Sequence, residues 1–211
     1  MRRQGKSRTR VQPQPAPAPA PITAAGTASA VQEGMTLTNL QIAYNGESNA
    51  NLRYLLFAKR ADEEGYGPIA SLFRAAARAE DIHAASHAAA IRNLGGEPSA
   101  SVDPVVTNST KENLETALKG EIYERDSMYP KFLQQARAEG RLLAVRTFEL
   151  AQKAEAEHAT LFAEALQSLE GRRGGAVEYF VCPVCGFTTP KKEGERCPVC
   201  SGVTDRFEKI S

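Results

Sequence analysis

Two copies of a Glu-x-x-His motif are the residues best suited to chemistry in this 211-residue chain. Glu80 and His83 form the first copy, and Glu155 and His158 form the second copy 75 positions later. Residues three apart lie on the same face of an α-helix, so each pair could bind one metal ion. Each glutamate is also preceded, seven positions earlier, by a phenylalanine. Because the chain has only three histidines, this repeat predicts a metal site shared by two related helices.

Three further glutamates could complete such a site. Glu47 lies 33 positions before Glu80, Glu121 lies 34 positions before Glu155, and both follow a glycine. Glu124 stands about one helical turn after Glu121. When positions are counted from the two predicted helix–helix turns, these glutamates and the two motifs fall at similar heights. The sequence therefore predicts that four antiparallel helices bring them together near the middle of a bundle.

The number of acidic groups in this predicted cluster indicates which ligand it would bind. Five glutamates buried with two histidines would be strongly destabilising unless cations neutralised the carboxylates. Two divalent metals would do so, and mixed carboxylate and imidazole donors suit iron or manganese better than magnesium or copper. The alternative is that the glutamates are ordinary solvated charges on helix surfaces. His87, one turn after His83, is interpreted as a solvated or supporting residue, with a metal-related role as the less favoured alternative.

All four cysteines lie between positions 182 and 200, in two Cys-x-x-Cys pairs separated by 11 residues. This spacing predicts a tetrahedral thiolate site and is not typical of a disulfide framework. Such a site suits zinc or a single iron ion, and the spacing alone favours zinc. The use of cysteines for metal binding also indicates a reducing compartment, so we expect a cytoplasmic protein.

The pattern of apolar and helix-breaking residues predicts four long helices, followed by a small cysteine module. The helices are expected at about residues 37–64, 68–94, 110–139 and 141–169, which gives a four-helix bundle. The stretch 95–109 is long enough for a crossover along the bundle. Pro130 falls inside the third helix and should kink it or open its hydrogen-bond ladder. The predicted domains are a bundle over 36–170, a linker over 171–178 and a cysteine domain over 179–211 that begins with a short strand.

Composition and charge exclude several function classes. The net charge of the chain is +1, but residues 35–211 hold 21 basic and 24 acidic side chains, so no electrostatic case for binding nucleic acid exists. No apolar run approaches the ~20 residues of a membrane span. Residues 1–35 are basic and rich in proline and alanine, and we expect a disordered tail. A targeting signal and a translation start at Met35 are the alternatives for this segment.

Residues 37–211 resemble rubrerythrin. Two unrelated metal motifs occur in the order typical of that family, and every expected ligand has a match. The residues that carry the resemblance are Gly46-Glu47-Ser48, Arg53-Tyr54, Glu80-x-x-His83, Gly120-Glu121-x-x-Glu124, Met128-Tyr129-Pro130, Glu155-x-x-His158 and both cysteine pairs. The resemblance implies an all-α, ferritin-like four-helix bundle with a small C-terminal rubredoxin-like metal-binding β domain, and it favours iron over zinc at the cysteines.

The resemblance also implies which residues bind metal. Glu80 and Glu155 would bridge two non-haem iron ions in the bundle, whereas Glu47 and Glu121 would each bind one ion. The full set of implied metal ligands is Glu47, Glu80, His83, Glu121, Glu124, Glu155 and His158 in the bundle, and Cys182, Cys185, Cys197 and Cys200 around one further iron.

Further roles are implied around this centre. One iron would move between Glu124 and His83 as its oxidation state changes, while His158 binds the other. Tyr54 and Tyr129 would donate hydrogen bonds to the ligands, or else they are ordinary amphipathic core tyrosines. By the same resemblance, the protein would be a peroxidase that reduces hydrogen peroxide to water. Electrons would come from rubredoxin or an NAD(P)H-dependent reductase and would cross between subunits of a homodimer or larger homo-oligomer.

Two other functions stay open at this point. A ferritin-like bundle could oxidise and hold Fe(II), in which case the cysteines would be dispensable. A structural bundle with a zinc ribbon would have no redox activity. Three features depart from the usual rubrerythrin pattern without removing a ligand: the N-terminal tail, Ser201-Gly202 after the last cysteine, and Ile122-Tyr123 between two of the glutamates.

Overall fold

Five α-helices form most of the described chain, residues 34–211 of a computed structural model. The predicted tail lies outside this range except for its last two residues. The helices are α1 (Met35–Glu63), α2 (Gly67–Asn93), α3 (Thr110–Tyr123), α4 (Tyr129–Ala138) and α5 (Leu142–Gln167). The first, second and last begin and end within two residues of the positions that the sequence predicts. No helix within residues 34–211 combines the length and apolar character needed to cross a membrane.

The third predicted helix is interrupted by a π-helical segment, Glu124–Met128, which joins α3 to α4. In this segment the N–H of Tyr129 donates to the carbonyl of Glu124, five residues earlier, instead of four. Pro130 follows at the second position of α4, where its missing N–H would leave an i−4 carbonyl without a donor. The expected opening of the hydrogen-bond ladder near Pro130 is therefore confirmed.

A crossover without regular structure joins the two helical hairpins. It runs along α1, because side chains from successive turns of that helix hydrogen-bond to its backbone. The contacts are Gln41 to the carbonyl of Glu97 (2.6 Å), Asn45 to the N–H of Ser101 (2.8 Å) and Asn49 to the N–H of Asp103 (2.8 Å). At its end, Ser109 forms a capping box with Glu112 at the start of α3. Short turns make α1 antiparallel to α2 and α3–α4 antiparallel to α5, and the crossover joins these two hairpins.

Two aromatic clusters fill the bundle on either side of its middle. Tyr54 packs with Phe73 and Phe162 in one cluster, at ring-centroid distances of 5.9 and 5.5 Å. Tyr129 packs with Phe148 in the other cluster, at 5.9 Å. Between the clusters, alanines dominate the buried positions of α2 and α5 and let the helices approach closely. The polar side chains predicted to bind metal lie between these two apolar layers.

The cysteine module forms a small antiparallel sheet that packs on the bundle. Its strands are β1 (Tyr179–Val181), β2 (Thr188–Thr189) and β3 (Glu208–Ile210), with β1 in the centre. Tyr179 and Val181 of β1 are buried and belong to the same hydrophobic cluster as the bundle core. Arg78 of α2 makes a paired ionic contact with Glu208 of β3, at 2.6 and 2.9 Å. The module is therefore held on α2 by both apolar and ionic contacts.

Candidate metal centres

Two overlapping groups of donor atoms lie in the middle of the bundle. One group combines Glu47, Glu80, His83 and Glu155, and the other combines Glu80, Glu121, Glu155 and His158. Within each group one donor atom per residue lies within 4.8 Å of all the others. Glu80 and Glu155 belong to both groups. Two cations held here would therefore share these two carboxylates.

Each helix supplies its donors for a simple geometric reason. Glu80 and His83 are three residues apart on α2, as are Glu155 and His158 on α5, so each pair projects from one helix face. Glu47 comes from α1 and completes the first group, whereas Glu121 comes from α3 and completes the second. All six side chains are between 0 and 2% exposed. The alternative that these glutamates are solvated surface charges is wrong.

The unpaired atoms of this cluster test whether it fits a metal centre. Within residues 34–211, nine buried side-chain atoms lack a hydrogen bond of acceptable geometry, and six of them belong to this cluster. They are Glu47 Oε2, Glu80 Oε1, Glu121 Oε2, both carboxylate oxygens of Glu155 and His158 Nδ1. Buried carboxylate oxygens without partners are strongly destabilising unless a cation binds them. The donor set therefore fits two divalent ions of the kind that accept oxygen and imidazole ligands, such as iron or manganese.

The electrostatics of the bare cluster lead to the same conclusion. Burial, together with the negative charges of Glu155 and Glu47, raises the pKa of Glu80 to about 8. Burial would also raise the pKa of Glu155, but the nearby His83 and His158 outweigh it and lower that pKa. The imidazoles have raised pKa values despite their burial, because Glu155 lies 2.8 Å from His83 and 2.7 Å from His158. Protons thus neutralise part of the charge that two cations would neutralise.

The two predicted tyrosines each donate a short hydrogen bond to one glutamate of the cluster. Tyr54 donates to Oε1 of Glu121, and Tyr129 donates to Oε1 of Glu47. In both glutamates the other oxygen is the unpaired one, so each carboxylate has one oxygen for the tyrosine and one for a cation. Burial and the adjacent carboxylates raise the pKa of both phenols, which keeps their protons in place.

Glu124 lies at the edge of the cluster and outside both donor groups of the described residues. It is the first residue of the π-helical segment and is partly exposed. Burial of its carboxyl group, and then the charges of Glu47, Glu155 and Glu80, raise its pKa well above the usual range, which indicates that the carboxyl group lies near these carboxylates. A role as a metal ligand therefore stays a prediction for this residue.

The four cysteines come together as the spacing predicts. One donor sulfur from each lies within 4.8 Å of the other three. The Cys182 and Cys200 sulfurs are 3.5 Å apart, and those of Cys185 and Cys197 are 3.6 Å apart. All four are free thiols, and the first three are buried. A hydrogen bond from Cys185 is the largest cause that lowers the pKa of Cys182 to about 5, so a thiolate is already favoured in this cluster.

The cysteine module contacts the outer nitrogen of both histidines. His83 Nε2 lies 3.0 Å from the carbonyl oxygen of Cys185, and His158 Nε2 lies 3.1 Å from the hydroxyl of Thr188. The Nδ1 atoms of the same rings face the carboxylates. Each imidazole is therefore fixed from outside by the module and points its other nitrogen into the bundle, as metal-binding histidines commonly do.

Comparison with known proteins agrees with this geometry. The rubrerythrin family model matches residues 38–166. Rubrerythrin-2 from Clostridium acetobutylicum is 38% identical over 182 residues, which cover 85% of this chain and 98% of that protein. The chain belongs to the rubrerythrin family. Nigerythrin from Nitratidesulfovibrio vulgaris is 37% identical over 177 residues, covering 82% of this chain and 86% of that protein.

The likeness to solved structures extends over the bundle and the cysteine module. The fully reduced, all-ferrous state of nigerythrin superposes with a TM-score of 0.77 at 35% identity, covering 87% of this chain and 91% of that chain. The predicted fold class is therefore confirmed: a ferritin-like all-α bundle with a small rubredoxin-like β domain at the C-terminus. This rubrerythrin-family chain carries a carboxylate–histidine site of the di-iron type and a four-cysteine site. The predicted domain boundaries stay a division made from the sequence.

Three contacts outside the predicted ligand set support the site of this rubrerythrin-family protein. His87 is fully buried, so the structure agrees with its interpretation as a supporting residue and excludes the solvated alternative. Its Nε2 lies 3.1 Å from the Tyr129 hydroxyl, and its Nδ1 lies 3.1 Å from the hydroxyl of Thr147. The contacts of Thr188 with His158 and of the Cys185 carbonyl with His83 were not predicted from the sequence, which holds no signal for them.

Proposed function

We propose that this protein is a non-haem di-iron peroxidase, with an Fe(Cys)4 site that passes electrons to the bundle. The observation that carries the proposal is the contact between the Cys185 carbonyl and His83, at 3.0 Å. It joins a peptide of the cysteine site directly to a candidate ligand of the bundle site. A protein that only stored iron, or that used the cysteines for structure alone, would have no need for this contact.

The proposed reaction converts hydrogen peroxide, two electrons and two protons into two molecules of water. When bound, a pair of iron ions supplies the two electrons. Glu80 and Glu155 would hold both ions, since each belongs to both donor groups. Glu47 with His83 would complete one site, and Glu121 with His158 would complete the other. Iron is the metal named for the all-ferrous nigerythrin structure, and we assign it to both sites of this chain.

The remaining residues of the centre would keep its geometry fixed. Tyr54 and Tyr129 would each hold one carboxylate in place, because each donates to the oxygen that does not face the cation position. Glu124, at the edge of the cluster, would be an additional ligand, and we propose that Glu124 and His83 would be alternative ligands of the same ion. Burial of the six donor residues would exclude bulk water during turnover.

We further propose the partners of this reaction. Electrons would enter at the exposed side of the cysteine module, where Cys200 is only partly buried, from rubredoxin or an NAD(P)H-dependent reductase. Hydrogen peroxide would be the substrate and water the product. We expect a cytoplasmic homodimer or larger homo-oligomer. In the described chain the cysteine module contacts the bundle of the same chain. In a homo-oligomer, the module of one subunit would make the equivalent contact with the bundle of another.

The test is metal analysis and visible spectroscopy on anaerobically purified protein. We expect about three iron ions per chain, a red chromophore from the cysteine site that reductant bleaches, and rapid reoxidation by hydrogen peroxide. Peroxide should be consumed much faster than dioxygen. A colourless protein that holds zinc at the cysteines and does not react with peroxide would contradict the proposal.

A matched control separates peroxidase activity from iron handling. Protein with zinc at the cysteines and iron in the bundle keeps the tetrahedral thiolate geometry but loses the electron carrier. We expect it to oxidise once with peroxide after chemical reduction and then to fail in repeated, NAD(P)H-driven turnover. An iron-handling protein would prefer dioxygen and would behave the same with zinc or iron at the cysteines.

A further inference from the structure

His87 is a buried polar residue that belongs to neither donor group of the described chain. Its side chain is 0% exposed and lies within the aromatic cluster beside the metal centre, 5.4 Å from Phe148 between ring centroids. Both ring nitrogens have a polar neighbour: Nε2 is 3.1 Å from the Tyr129 hydroxyl and Nδ1 is 3.1 Å from the Thr147 hydroxyl. Nε2 also lies 3.7 Å from Oε1 of Glu47, so the imidazole, the phenol and the carboxylate form one buried group.

The number of available protons decides the direction of these hydrogen bonds. The Tyr129 hydroxyl has one proton, and it donates that proton to Glu47. The tyrosine oxygen can then only accept from His87, so the imidazole proton must be on Nε2. Nδ1 is left as an acceptor, and Thr147 donates to it. All three hydrogen bonds of this chain therefore point towards the carboxylate of Glu47.

We infer that His87 is a positioning residue for the metal centre: by donating from Nε2 to the Tyr129 oxygen, it keeps the Tyr129 O–H directed at Glu47. This inference rests on the proposed function and adds a residue to it. The bond to Tyr129 keeps Oε1 of Glu47 occupied and leaves Oε2, which has no hydrogen-bond partner, for a cation. Without the imidazole, the hydroxyl would be free to rotate, and Glu47 would lose a fixed orientation.

The place beside Tyr54 that matches the place of His87 beside Tyr129 is filled without an imidazole. The repeat of 75 positions that relates Glu80 to Glu155 also relates Tyr54 to Tyr129, His87 to Phe162 and Leu72 to Thr147. Phe162 is fully buried against the ring of Tyr54 at 5.5 Å, and Leu72 is buried too. Within residues 34–211, Glu121 is the only hydrogen-bond partner of the Tyr54 hydroxyl. The polar pair His87 and Thr147 thus replaces an apolar pair in one half of the site only.

This internal comparison provides the test variants. His87→Phe copies the residue that fills the equivalent place in the other half, so the variant should fold. It removes the donor to Tyr129, and we expect kcat for peroxide to fall about tenfold, the effect of losing one hydrogen bond to a fixed group. His87→Gln retains an N–H donor of similar reach and should recover a large part of the rate. In a Tyr129→Phe background, His87→Phe should have no further effect, because the imidazole acts through the hydroxyl.

A second readout does not depend on turnover. Nitrogen-15 NMR of histidine in zinc-loaded protein identifies which ring nitrogen carries the proton. We expect the neutral form of His87 with its proton on Nε2. A proton on Nδ1, or a His87→Phe variant with wild-type kcat and KM, would overturn the inference. If His87→Phe fails to fold, His87→Gln and the NMR spectrum of the wild type still decide the question. If the wild-type protein does not react with hydrogen peroxide, the proposed function is refuted. The NMR measurement still decides which nitrogen of His87 carries the proton.

Discussion

Gly186 allows the cysteine module to approach His83, and its replacement by alanine should separate the two metal sites. The backbone at Gly186 has φ of +75°, a conformation that residues with a Cβ rarely adopt. A methyl group at this position would overlap Nε2 of His83 and lie 3.0 Å from each neighbouring ring carbon, whereas ordinary contact begins at 3.4 Å. The ring cannot easily move aside, because it is buried and its Nδ1 lies 2.8 Å from Glu155.

The expected displacement follows from these distances. To relieve the overlap with Nε2 of His83, the module must move about 1 Å away from the bundle. The hydrogen bond from His83 to the Cys185 carbonyl, now 3.0 Å, would lengthen to about 4 Å and be lost. Alanine at positive φ adds about 1–2 kcal/mol of backbone strain. Because electron transfer slows with distance and the hydrogen bond that joins the two sites would be lost, we expect electron transfer from the cysteine site to the bundle to slow severalfold.

Stopped-flow spectroscopy can measure this effect through reoxidation of the reduced cysteine chromophore after peroxide is added. Gly194→Ala is the matched control, because Gly194 lies in the same module with φ of +67°, and no atom lies within 4 Å of an added methyl group. It should lose similar stability from backbone strain and keep the electron-transfer rate. Equal rates for the two variants would refute the argument that close approach at Gly186 couples the sites.

Three further predictions concern the centres themselves. Glu155→Gln should release both metals from the bundle while the cysteine site keeps its own, because Glu155 belongs to both donor groups; metal analysis of the purified variant tests this. The metal-free protein should lose stability as the pH rises from about 4.5 to about 8, because the folded state retains a Glu80 proton that the unfolded chain releases. Thermal denaturation at several pH values should show this fall in stability without added metal and should not show it with added metal. Ser201 has φ of 62° at the position equivalent to Gly186, a conformation that glycine adopts without strain. Ser201→Gly should therefore stabilise the protein by about 0.5–1 kcal/mol in denaturant titrations. A denaturation midpoint below that of the wild type would contradict this prediction.

The sequence was sufficient to predict the helices and the clustering of six of the seven proposed ligand side chains, because both depend on local spacing. The Glu-x-x-His pairs place two donors on one helix face whatever the rest of the chain does. Counting residue positions from the two helix–helix turns then placed Glu47 and Glu121 at the same height in the bundle as the Glu-x-x-His pairs. Glu124 is the exception, since it lies in a π-helical turn whose hydrogen bonds do not follow the α-helical period.

Contacts between distant elements could not be predicted in the same way. The cysteine spacing predicted a thiolate cluster but contained nothing about the surface on which the module would pack. That surface depends on Arg78, on the burial of β1 and on the close approach at Gly186. The choice between a solvated and a supporting His87 stayed open for a related reason: its helix face was known, but its partners Tyr129 and Thr147 come from two other helices.

The π-helical segment accommodates one extra residue in one of the two matching halves of the bundle. Tyr54 follows Glu47 by seven residues, whereas Tyr129 follows Glu121 by eight, and Glu124–Met128 lies between the latter two. In an α-helix an extra residue would turn everything after it by about 100°, and Tyr129 would leave the site. The wider turn absorbs that residue, so both tyrosines still reach their glutamates. The second half therefore holds Glu124, where the first half has Ala50, without disturbing the alignment of the other donor residues.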